Sequence, residues 1–494
     1  MKKTFSPVVT MIIMIFLTII VSFVLSLINF DGTTTIISNG ILETSVVVVK
    51  NIFSKEGISY FFSNVINNFN LLEPLVLIIL SLISFSVAKE SGLLKHVFNP
   101  LKKLKLNVLT FIMIFLSIIA TIIGDYSYII LFPLAAIIYQ YSNKNPVLGI
   151  ITVFLGITLG YGTGIFYNFN DYELGLLTEI AAVSTVDPSY KFSLYSNLYI
   201  MITSTIVLTF LITTMINKYL INKVSVSSKY EDELVISKNA LFYSLMGLIV
   251  CLIPIFIMIL PNGMLLDNNQ TTYVAKLFGA SSPFNLSFMY LFLLVLAVVS
   301  TIYGFISKNF KNNHEYGWAY TKELNNIGYL FVLMFLSSIL FGIINWTNLG
   351  VVIANNLIYI ISLFNFTGLP LIIISFVLIV LMSFFLPGSL EKWTLISPIL
   401  VPLFMKGNLT PDYAQFLFKA ADSVGKVLTP MFIYFIIMVG FIQKYNLKEK
   451  QITLFNTFKL IWPIVITVFV FWLLILIIWY VAGLPLGINT FVTM

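Results

Sequence analysis

The feature that most constrains this chain is a succession of apolar stretches, several of which reach about 20 residues. A helix of about that length crosses the hydrocarbon core of a bilayer. Hydrophobic residues make up 59% of the 494 residues and charged residues only 10%, with a mean hydropathy of +1.00. A soluble protein has too little interior to hide that much apolar surface. The sequence therefore predicts an all-α polytopic membrane protein.

The distribution of lysine predicts how the helices are oriented. All 27 residues of the Lys and Arg class are lysines, and most of them fall in alternate loops between apolar segments. Because cytoplasmic loops carry an excess of positive charge, Lys2 and Lys3 place the N-terminus in the cytoplasm. The first apolar stretch is too long for a signal peptide and is interpreted as a retained helix. The nine predicted crossings are residues 8–29, 71–88, 147–166, 196–217, 241–261, 286–306, 328–346, 418–441 and 460–482.

This threading predicts a multi-pass protein of the inner (plasma) membrane with an extracytoplasmic C-terminus. The formal net charge of +7 does not point to nucleic acid, because the lysines lie in the short loops that set membrane topology.

Two regions remain outside the nine crossings, residues 108–142 and 368–405. Each consists of two short apolar arms around a polar tip, which is Gly124–Tyr128 in the first and Pro387–Trp393 in the second. Arms of about 13 to 16 residues are better suited to entering and leaving on one side than to crossing. Both regions are therefore predicted to be re-entrant hairpins, which need protein or a wet cavity around their tips.

The two hairpins indicate an internal repeat. Gly124-Asp125 corresponds to Gly388-Ser389, and each hairpin is followed by a membrane segment interrupted by small or polar residues. The first hairpin is predicted to enter from the cytoplasm and the second from outside, so the repeat is inverted. Interrupted segments at corresponding positions of inverted halves point to a transporter's binding site near the bilayer midplane. Isolated glycines and prolines in membrane helices would instead serve packing.

The repeat divides the chain into four parts. Residues 1–70 hold the first helix and an extracytoplasmic loop, and 71–217 form the first repeat with its hairpin at 108–142. Residues 218–327 supply cytoplasmic loops and linking helices. Residues 328–494 form the second repeat with its hairpin at 368–405.

Ionisable residues within these segments are candidates for the site, because charges in the bilayer are costly and usually functional. Asp125 lies at the first hairpin tip. Asp422 lies in the second interrupted segment, three residues after Lys419 and four before Lys426, so either lysine is a candidate partner. An architectural ion pair is the alternative reading of this group. Asp171 lies near the outer end of its crossing, where it either lines the pathway or is solvated.

Several motifs, taken together, resemble the p-aminobenzoyl-glutamate transporter (AbgT) family. The resemblance runs in order from about residue 70 to 487. The motifs that carry it are Asp125-Tyr126-Ser127-Tyr128 with Pro133-Leu134-Ala135-Ala136, Asn197 to Ser204, Asn345 to Gly350, Gly388-Ser389 with Lys392-Trp393, Asp422-Ser423 with Thr429-Pro430, Gln443-Lys444-Tyr445, and Gly483 to Gly487.

The resemblance implies a homodimer whose protomers have nine spanning helices and two hairpins. It also implies movement of p-aminobenzoyl-glutamate, or export of sulfonamides, driven by a proton or sodium gradient. The family's pathway positions fall on Asp171, Trp393, Pro411, Asp422 and Pro430. The chain departs from the family pattern at Gly162, Gly164, Leu390 and Lys419, which replace polar side chains or an arginine and put the substrate in doubt.

The resulting hypothesis is secondary active transport of a small aromatic or carboxylated anion. Trp393 would stack on an aromatic ring, and Lys392 or Lys419 would neutralise a carboxylate. Asp422 or Asp125 would carry a coupling proton or help to bind sodium. No cofactor is expected, and no phosphate-binding G-x-x-x-x-G-K-[ST] motif is present. The candidate site residues are Asp125, Asp171, Ser389, Lys392, Trp393, Pro411, Lys419, Asp422, Ser423 and Pro430.

Three rival interpretations stay open at this point. An intramembrane enzyme could use Asp125 with Asp171 or Asp422, provided that two carboxylates share a proton at close range. A passive channel would carry ions without coupled substrate flux. A dicarboxylate or another organic anion could be the cargo of a transporter with the same architecture.

Overall fold

The computed structural model describes residues 5–38, 41–224, 233–279, 281–363, 366–446 and 452–494. Lys2 and Lys3, which anchor the predicted orientation, lie outside the described residues. The described chain is mostly helical, so the predicted fold class is confirmed. The first half contains α1 Pro7–Leu27, α2 Lys55–Asn70, α3 Pro74–Glu90, α4 Leu93–Phe98, α5 Leu106–Ala120, α6 Tyr126–Tyr141, α7 Pro146–Leu159, α8 Phe169–Thr185, α9 Leu198–Met215 and α10 Ile221–Val224.

The remaining helices complete the linking region and the second half. They are α11 Lys238–Met258, α12 Tyr273–Phe278, α13 Pro283–Ile306, α14 Asn313–Ala319, α15 Gly328–Trp346, α16 Leu349–Leu363, α17 Gly368–Met382, α18 Ser389–Lys406, α19 Pro411–Val427, α20 Ile433–Tyr445 and α21 Leu454–Ala482.

Eight helices of the described chain are long and apolar enough to cross a membrane. Seven of them fall on predicted crossings, and the eighth is the first arm of the first predicted hairpin, Leu106–Ile123. The other two predicted crossings, 147–166 and 418–441, fall on interrupted segments made of shorter helices. The count of nine crossings stays a prediction.

Two short antiparallel sheets add to the helical fold. Strands β1 (Asp31–Ser38) and β2 (Ile41–Val48) pair in the stretch after the first helix, and β3 (Pro485–Gly487) pairs with β4 (Thr490–Phe491) near the C-terminus. The first sheet packs on α16, where the Asn355 amide donates to the Thr34 hydroxyl at 2.7 Å. The polar and β-branched residues between the first two crossings therefore form a β-hairpin and then α2.

Both predicted hairpins are helix–turn–helix units. In the first, α5 and α6 flank a turn in which Gly124 has φ 58° and ψ −138°. Those angles suit the first central position of a type II′ turn, which favours glycine because it has no Cβ. In the second, α17 and α18 flank a turn in which Gly388 has φ −63° and ψ 118°. The two glycines thus correspond in position but not in backbone conformation. Entry of the two hairpins from opposite membrane sides stays a prediction.

Both predicted interruptions are breaks in helices. Helix α7 ends at Leu159 and α8 begins only at Phe169. Helix α19 ends at Val427 and α20 begins at Ile433. Every residue of α19 is buried, because α17, α18, α7, α8 and α21 surround it. The second broken helix therefore lies at the centre of the protein and carries its polar residues into the core.

Candidate functional site

Asp422 on α19 is completely buried and is held by two lysines and two serines. Its Oδ1 atom accepts from the Lys392 ammonium group and from the Ser383 hydroxyl, the latter at 2.9 Å. Its Oδ2 atom accepts from the Ser389 hydroxyl at 2.5 Å and lies 3.1 Å from Lys426 Nζ. A buried carboxylate needs such partners, because desolvation strongly disfavours an isolated charge.

The local structure explains how these groups meet. Lys426 follows Asp422 by one helical turn, as the sequence spacing indicates. Helix α18 begins at Ser389, and Lys392 lies in its first turn. A Cβ atom on Gly425 would lie only 2.4 Å from the Cβ of Ser383, so the glycine lets α19 approach α17 closely. The second hairpin is thereby pressed against the broken helix.

A second buried ion pair joins the two broken helices. Lys419 on α19 forms an ion pair with Asp171 at the start of α8, and both side chains are almost completely buried. Asp171 also caps α8 with Asn168, whose backbone N–H donates to Asp171 Oδ2 at 3.1 Å. Of the two candidate partners of Asp422, Lys426 therefore forms an ion pair with it, and Lys419 forms its ion pair with Asp171. Asp171 is enclosed by protein rather than solvated, and its place on the pathway stays a prediction.

Tyr161 lies between the two ion pairs, in the break that follows α7. The Lys426 ammonium group is 4.3 Å from the centroid of its ring, and that of Lys419 is 5.9 Å from it. These separations are within the range of cation–π attraction. The Tyr161 hydroxyl is buried and makes no hydrogen bond within the described part of the chain. One aromatic ring of the first repeat thus contacts two lysines of the second.

Trp393 is completely buried and faces α8. Its indole N–H is shared between the Leu174 carbonyl at 3.2 Å and the Thr178 hydroxyl at 3.0 Å. Its ring packs against Phe418 with a centroid separation of 4.6 Å. In this conformation Trp393 connects the second hairpin to the first broken helix. It does not line the cavity described next.

A cavity of about 230 Å³ opens beside the Asp422 cluster. Its polar wall is formed by Asp125 from the first hairpin, Ser389 and Glu391 from the second hairpin, and Lys426 from α19. The remaining lining residues are mostly aromatic or apolar: Phe341, Ile344, Asn345, Phe385, Leu386, Pro387, Gly388, Met431, Phe432, Ile433 and Tyr434. Both hairpin tips therefore meet at one cavity.

The remaining predicted residues have more local roles. Pro411 is the first residue of α19, where its missing N–H costs no helical hydrogen bond. Pro430 lies in the break before α20, beside Thr429, whose hydroxyl donates to the Phe384 carbonyl at 2.9 Å. The Ser423 hydroxyl donates to Ala420 of its own helix at 2.7 Å and does not bond the charged groups.

The charges indicate which chemistry the cluster can perform. Asp422 and Asp171 are bonded by lysines, and no carboxylate in the described residues bonds another carboxylate. A two-aspartate enzyme needs two carboxylates that share a proton, and this cluster contains no such pair. The described residues also contain no group of three or more His, Cys, Asp or Glu side chains that could hold a metal ion.

Sequence reasoning missed three contributors to this region. Ser383 lies in the second hairpin, at the last turn of its first arm, and nothing in its local pattern separates it from a packing serine. Tyr161 lies in a glycine-rich break, where an aromatic residue between glycines was the available signal. Lys426 was considered as a partner of Asp422 but was not predicted to line a cavity.

The fold and site together define a membrane transporter, with paired helical hairpins and paired broken helices around buried charges. The sequence model of the AbgT transporter family matches residues 2–494. The chain belongs to the AbgT family, as its motifs indicated.

Individual relatives agree with this assignment. The p-aminobenzoyl-glutamate transport protein of Escherichia coli (strain K12) is 28% identical over 449 residues, which cover 89% of this chain and 86% of the relative. The crystal structure of the Alcanivorax borkumensis YdaH transporter has a TM-score of 0.50 at 22% identity and covers 98% of this chain and 100% of its own. The structure of Neisseria gonorrhoeae MtrF is described as illuminating a class of antimetabolite efflux pumps. It matches with a TM-score of 0.50 at 23% identity, and the match covers 99% of this chain and 98% of the MtrF chain.

Proposed function

We propose that the chain is a secondary active transporter of a small aromatic or carboxylated anion. Substrates in this class include p-aminobenzoyl-glutamate, which the Escherichia coli relative's name gives, and sulfonamides, which the family resemblance implies. The coupling ion is a proton or sodium. The observation that carries the proposal is that Lys426 and Ser389 belong both to the buried Asp422 cluster and to the wall of the cavity.

The cavity offers the groups that such an anion needs. Lys426 supplies a positive charge and Ser389 a hydroxyl donor at one end. Phe341, Phe385 and Phe432 supply aromatic surface for a ring. Lysine has to provide the positive charge, because the chain contains no arginine and therefore no bidentate guanidinium group.

Competition for Lys426 connects substrate binding to the coupling ion. While Asp422 is ionised, it bonds Lys392 and Lys426. Protonation of Asp422 removes the negative charge, so Lys426 can bond a substrate carboxylate across the cavity instead. A sodium ion on Asp422 would have the same effect by neutralising its charge. Asp125, which lines the same cavity, is the second candidate carrier of the coupling ion.

The proposed assembly in the membrane follows from the lysine distribution and the family. The N-terminus lies in the cytoplasm, the C-terminus lies outside, and two chains form a homodimer in the plasma membrane. Two single-cysteine variants, Lys103→Cys and Asn269→Cys, test this orientation when they are made in a Cys251→Ser background. Each variant is treated with a membrane-impermeant maleimide in intact cells. Only the cysteine at position 269 should react from outside intact cells, and labelling at position 103 would contradict the orientation.

Flux into proteoliposomes tests the transport proposal. The purified full chain is reconstituted, and p-aminobenzoyl-glutamate, a sulfonamide and a dicarboxylate are measured with imposed proton or sodium gradients of either direction. We expect one gradient to drive accumulation of the first or second compound. Asp422→Asn should lower the gradient-driven flux at least about tenfold, because the carboxamide cannot carry a charge or bond two lysines as Asp422 does.

Asp267→Asn is the matched control, because it makes the same chemical change in an exposed loop after α11. It should leave flux unchanged. Undiminished gradient-driven flux in Asp422→Asn would disprove the coupling role of Asp422. Steady ion current without coupled substrate flux would instead favour a channel.

A further inference from the structure

Asp412 is a buried carboxylate at the start of α19, on the opposite end of that helix from Lys426. Only 5% of its surface is exposed, and no lysine in the described residues lies within ion-pair distance of it. Lys419, two helical turns further on, is already paired with Asp171. The Tyr190 hydroxyl donates to Asp412 Oδ1 at 2.9 Å. The negative charge of Asp412 therefore lacks the cationic partner that Asp422 and Asp171 each have.

Two other oxygen atoms beside Asp412 are buried and have no partner in the described part of the chain. Asn197 donates its amide nitrogen to the Asp412 carbonyl at 3.1 Å, which fixes the amide orientation and leaves Asn197 Oδ1 unbonded. Ser196 Oγ lies beside the Asp412 carboxylate and makes no hydrogen bond of standard geometry in the described part of the chain. Asn197 and Ser196 are 5% and 1% exposed, so solvent does not satisfy them from the surface.

The helix N-terminus accounts for part of this arrangement. Its free N–H groups favour a negative charge in the first turn, although Pro411 removes one of them. That effect does not satisfy Asn197 Oδ1, which is an acceptor only and needs a donor or a cation. Buried polar atoms without a protein partner usually contact water or an ion.

The C-terminal segment contacts the chain directly before Ser196 and directly before Pro411. The Ile488 N–H donates to the Tyr195 carbonyl at 3.1 Å, directly before Ser196. The Thr410 N–H donates to the Val492 carbonyl at 2.9 Å, directly before Pro411 and Asp412. The segment that contains β3 and β4 thus holds the starts of α9 and α19 together. Because Ser196, Asn197 and Asp412 are all buried, a ligand among them would be enclosed by protein.

We propose that Asp412, Asn197 Oδ1, Ser196 Oγ and the Tyr190 hydroxyl form a binding site for a sodium ion. Oxygen atoms of carboxylate, amide and hydroxyl groups are the ligands that hard cations prefer. One carboxylate balances a single positive charge, which favours a monovalent ion over calcium. The site is separate from Asp422 and Asp125, and it goes beyond the proposed function because binding does not depend on which substrate is carried.

Binding of radioactive sodium to the purified full chain in detergent tests this site. Sodium-22 is titrated in choline chloride at constant ionic strength, with potassium chloride as competitor. The wild-type chain should show saturable binding that potassium displaces poorly, and sodium should raise its melting temperature. Asp412→Asn should weaken sodium binding at least tenfold. Asp187→Asn is the matched control in the neighbouring exposed loop and should bind as the wild type does.

Ser196→Ala gives a second readout if Asp412→Asn does not fold, because it removes one oxygen and leaves no charge unpaired. It should weaken sodium binding several-fold without lowering the melting temperature in choline. Absence of saturable sodium binding by the wild type would overturn the proposal. Unchanged sodium binding in both single variants, Ser196→Ala and Asp412→Asn, would also overturn it. So would a loss of sodium binding that occurs in Asp422→Asn and in neither of those two variants. Substrate flux in the proteoliposome experiment is measured separately, so either proposal can fail without the other.

Discussion

At the scale of single residues, the site consists of buried charges that neutralise one another across different helices. Asp422 has two lysine partners and Asp171 has one. Such groups contribute little net stability, because desolvation offsets most of the attraction. Their removal one at a time is nevertheless costly, since the partner is left charged and buried. This combination suits the exchange of ion pairs that the proposed transport mechanism requires.

The Lys419–Asp171 pair permits a quantitative test. Lys419→Met leaves Asp171 buried without its cation and should lower the free energy of unfolding by about 3–5 kcal/mol. The double variant Lys419→Met/Asp171→Asn should recover most of that loss, because no unpaired charge remains. Thermal unfolding in detergent measures both variants. Additive losses in the double variant would show that the two residues do not interact.

The exposed pair formed by Lys322 and Glu90, at 2.5 Å, is the comparison for that experiment. The Lys322 side chain is 54% exposed, so water screens the pair. Lys322→Met should therefore cost less than about 1 kcal/mol.

At the scale of elements, the two hairpin turns are built differently. Gly124 has a positive φ of 58°, whereas Gly388 has a φ of −63° that any residue adopts. The hairpins therefore share length, position and a polar tip without sharing a turn type. Their common function of bringing Asp125 and Ser389 to one cavity does not require identical backbones.

Alanine at each glycine tests this difference. Gly124→Ala should lower the melting temperature, with a cost of about 1–3 kcal/mol, because a Cβ is strained at that backbone conformation. Gly388→Ala should cost less, since the nearest atom to its new Cβ is the flexible end of Glu391 at 3.1 Å. Equal losses in the two variants, measured by thermal unfolding, would contradict the turn assignment.

At the scale of the whole molecule, a second charged cluster joins the two halves. Glu323, in the loop before α15, bonds Lys89 at the end of α3 and Lys444 at the end of α20, each at 2.6 Å. The Tyr445 hydroxyl donates to the same carboxylate at 2.7 Å. Helices from both predicted repeats are thereby fastened to the linking region at one point.

This cluster predicts a dependence of stability on pH. Burial raises the pKa of Glu323, but the Lys89 and Lys444 ammonium groups outweigh burial and lower that pKa from 4.5 to about 2. The carboxylate therefore contributes stability above about pH 4.5, and the contribution is lost as the pH falls towards 2. Between pH 5 and pH 3 the melting temperature of the wild type should fall more than that of Glu323→Gln.

Glu315→Gln is the control for the pH measurement, because Glu315 is exposed on the short helix α14. Its melting temperature should follow that of the wild type at every pH. A parallel fall in the wild type and in Glu323→Gln would show that the cluster does not determine the acid sensitivity.

The positions of the hairpins and of the breaks were predictable from local sequence. Short apolar arms around Gly124 and Pro387 predict turns, and polar or small residues within α7–α8 and α19–α20 predict interruptions. These signals depend on neighbouring residues only. The β-hairpin of β1 and β2 was missed because the polar and β-branched residues of this stretch come in runs and do not alternate along either strand.

The sequence by itself determined the class of protein, the family and the residues that carry charge into the membrane, because apolar length and ordered motifs are read along the chain. Only the tertiary structure decided which charges meet. Lys419 lies three residues from Asp422 yet bonds Asp171, while Asp422 takes Lys392 from another helix. Pairing across elements depends on how α8, α18 and α19 pack, and spacing along one helix does not contain that information.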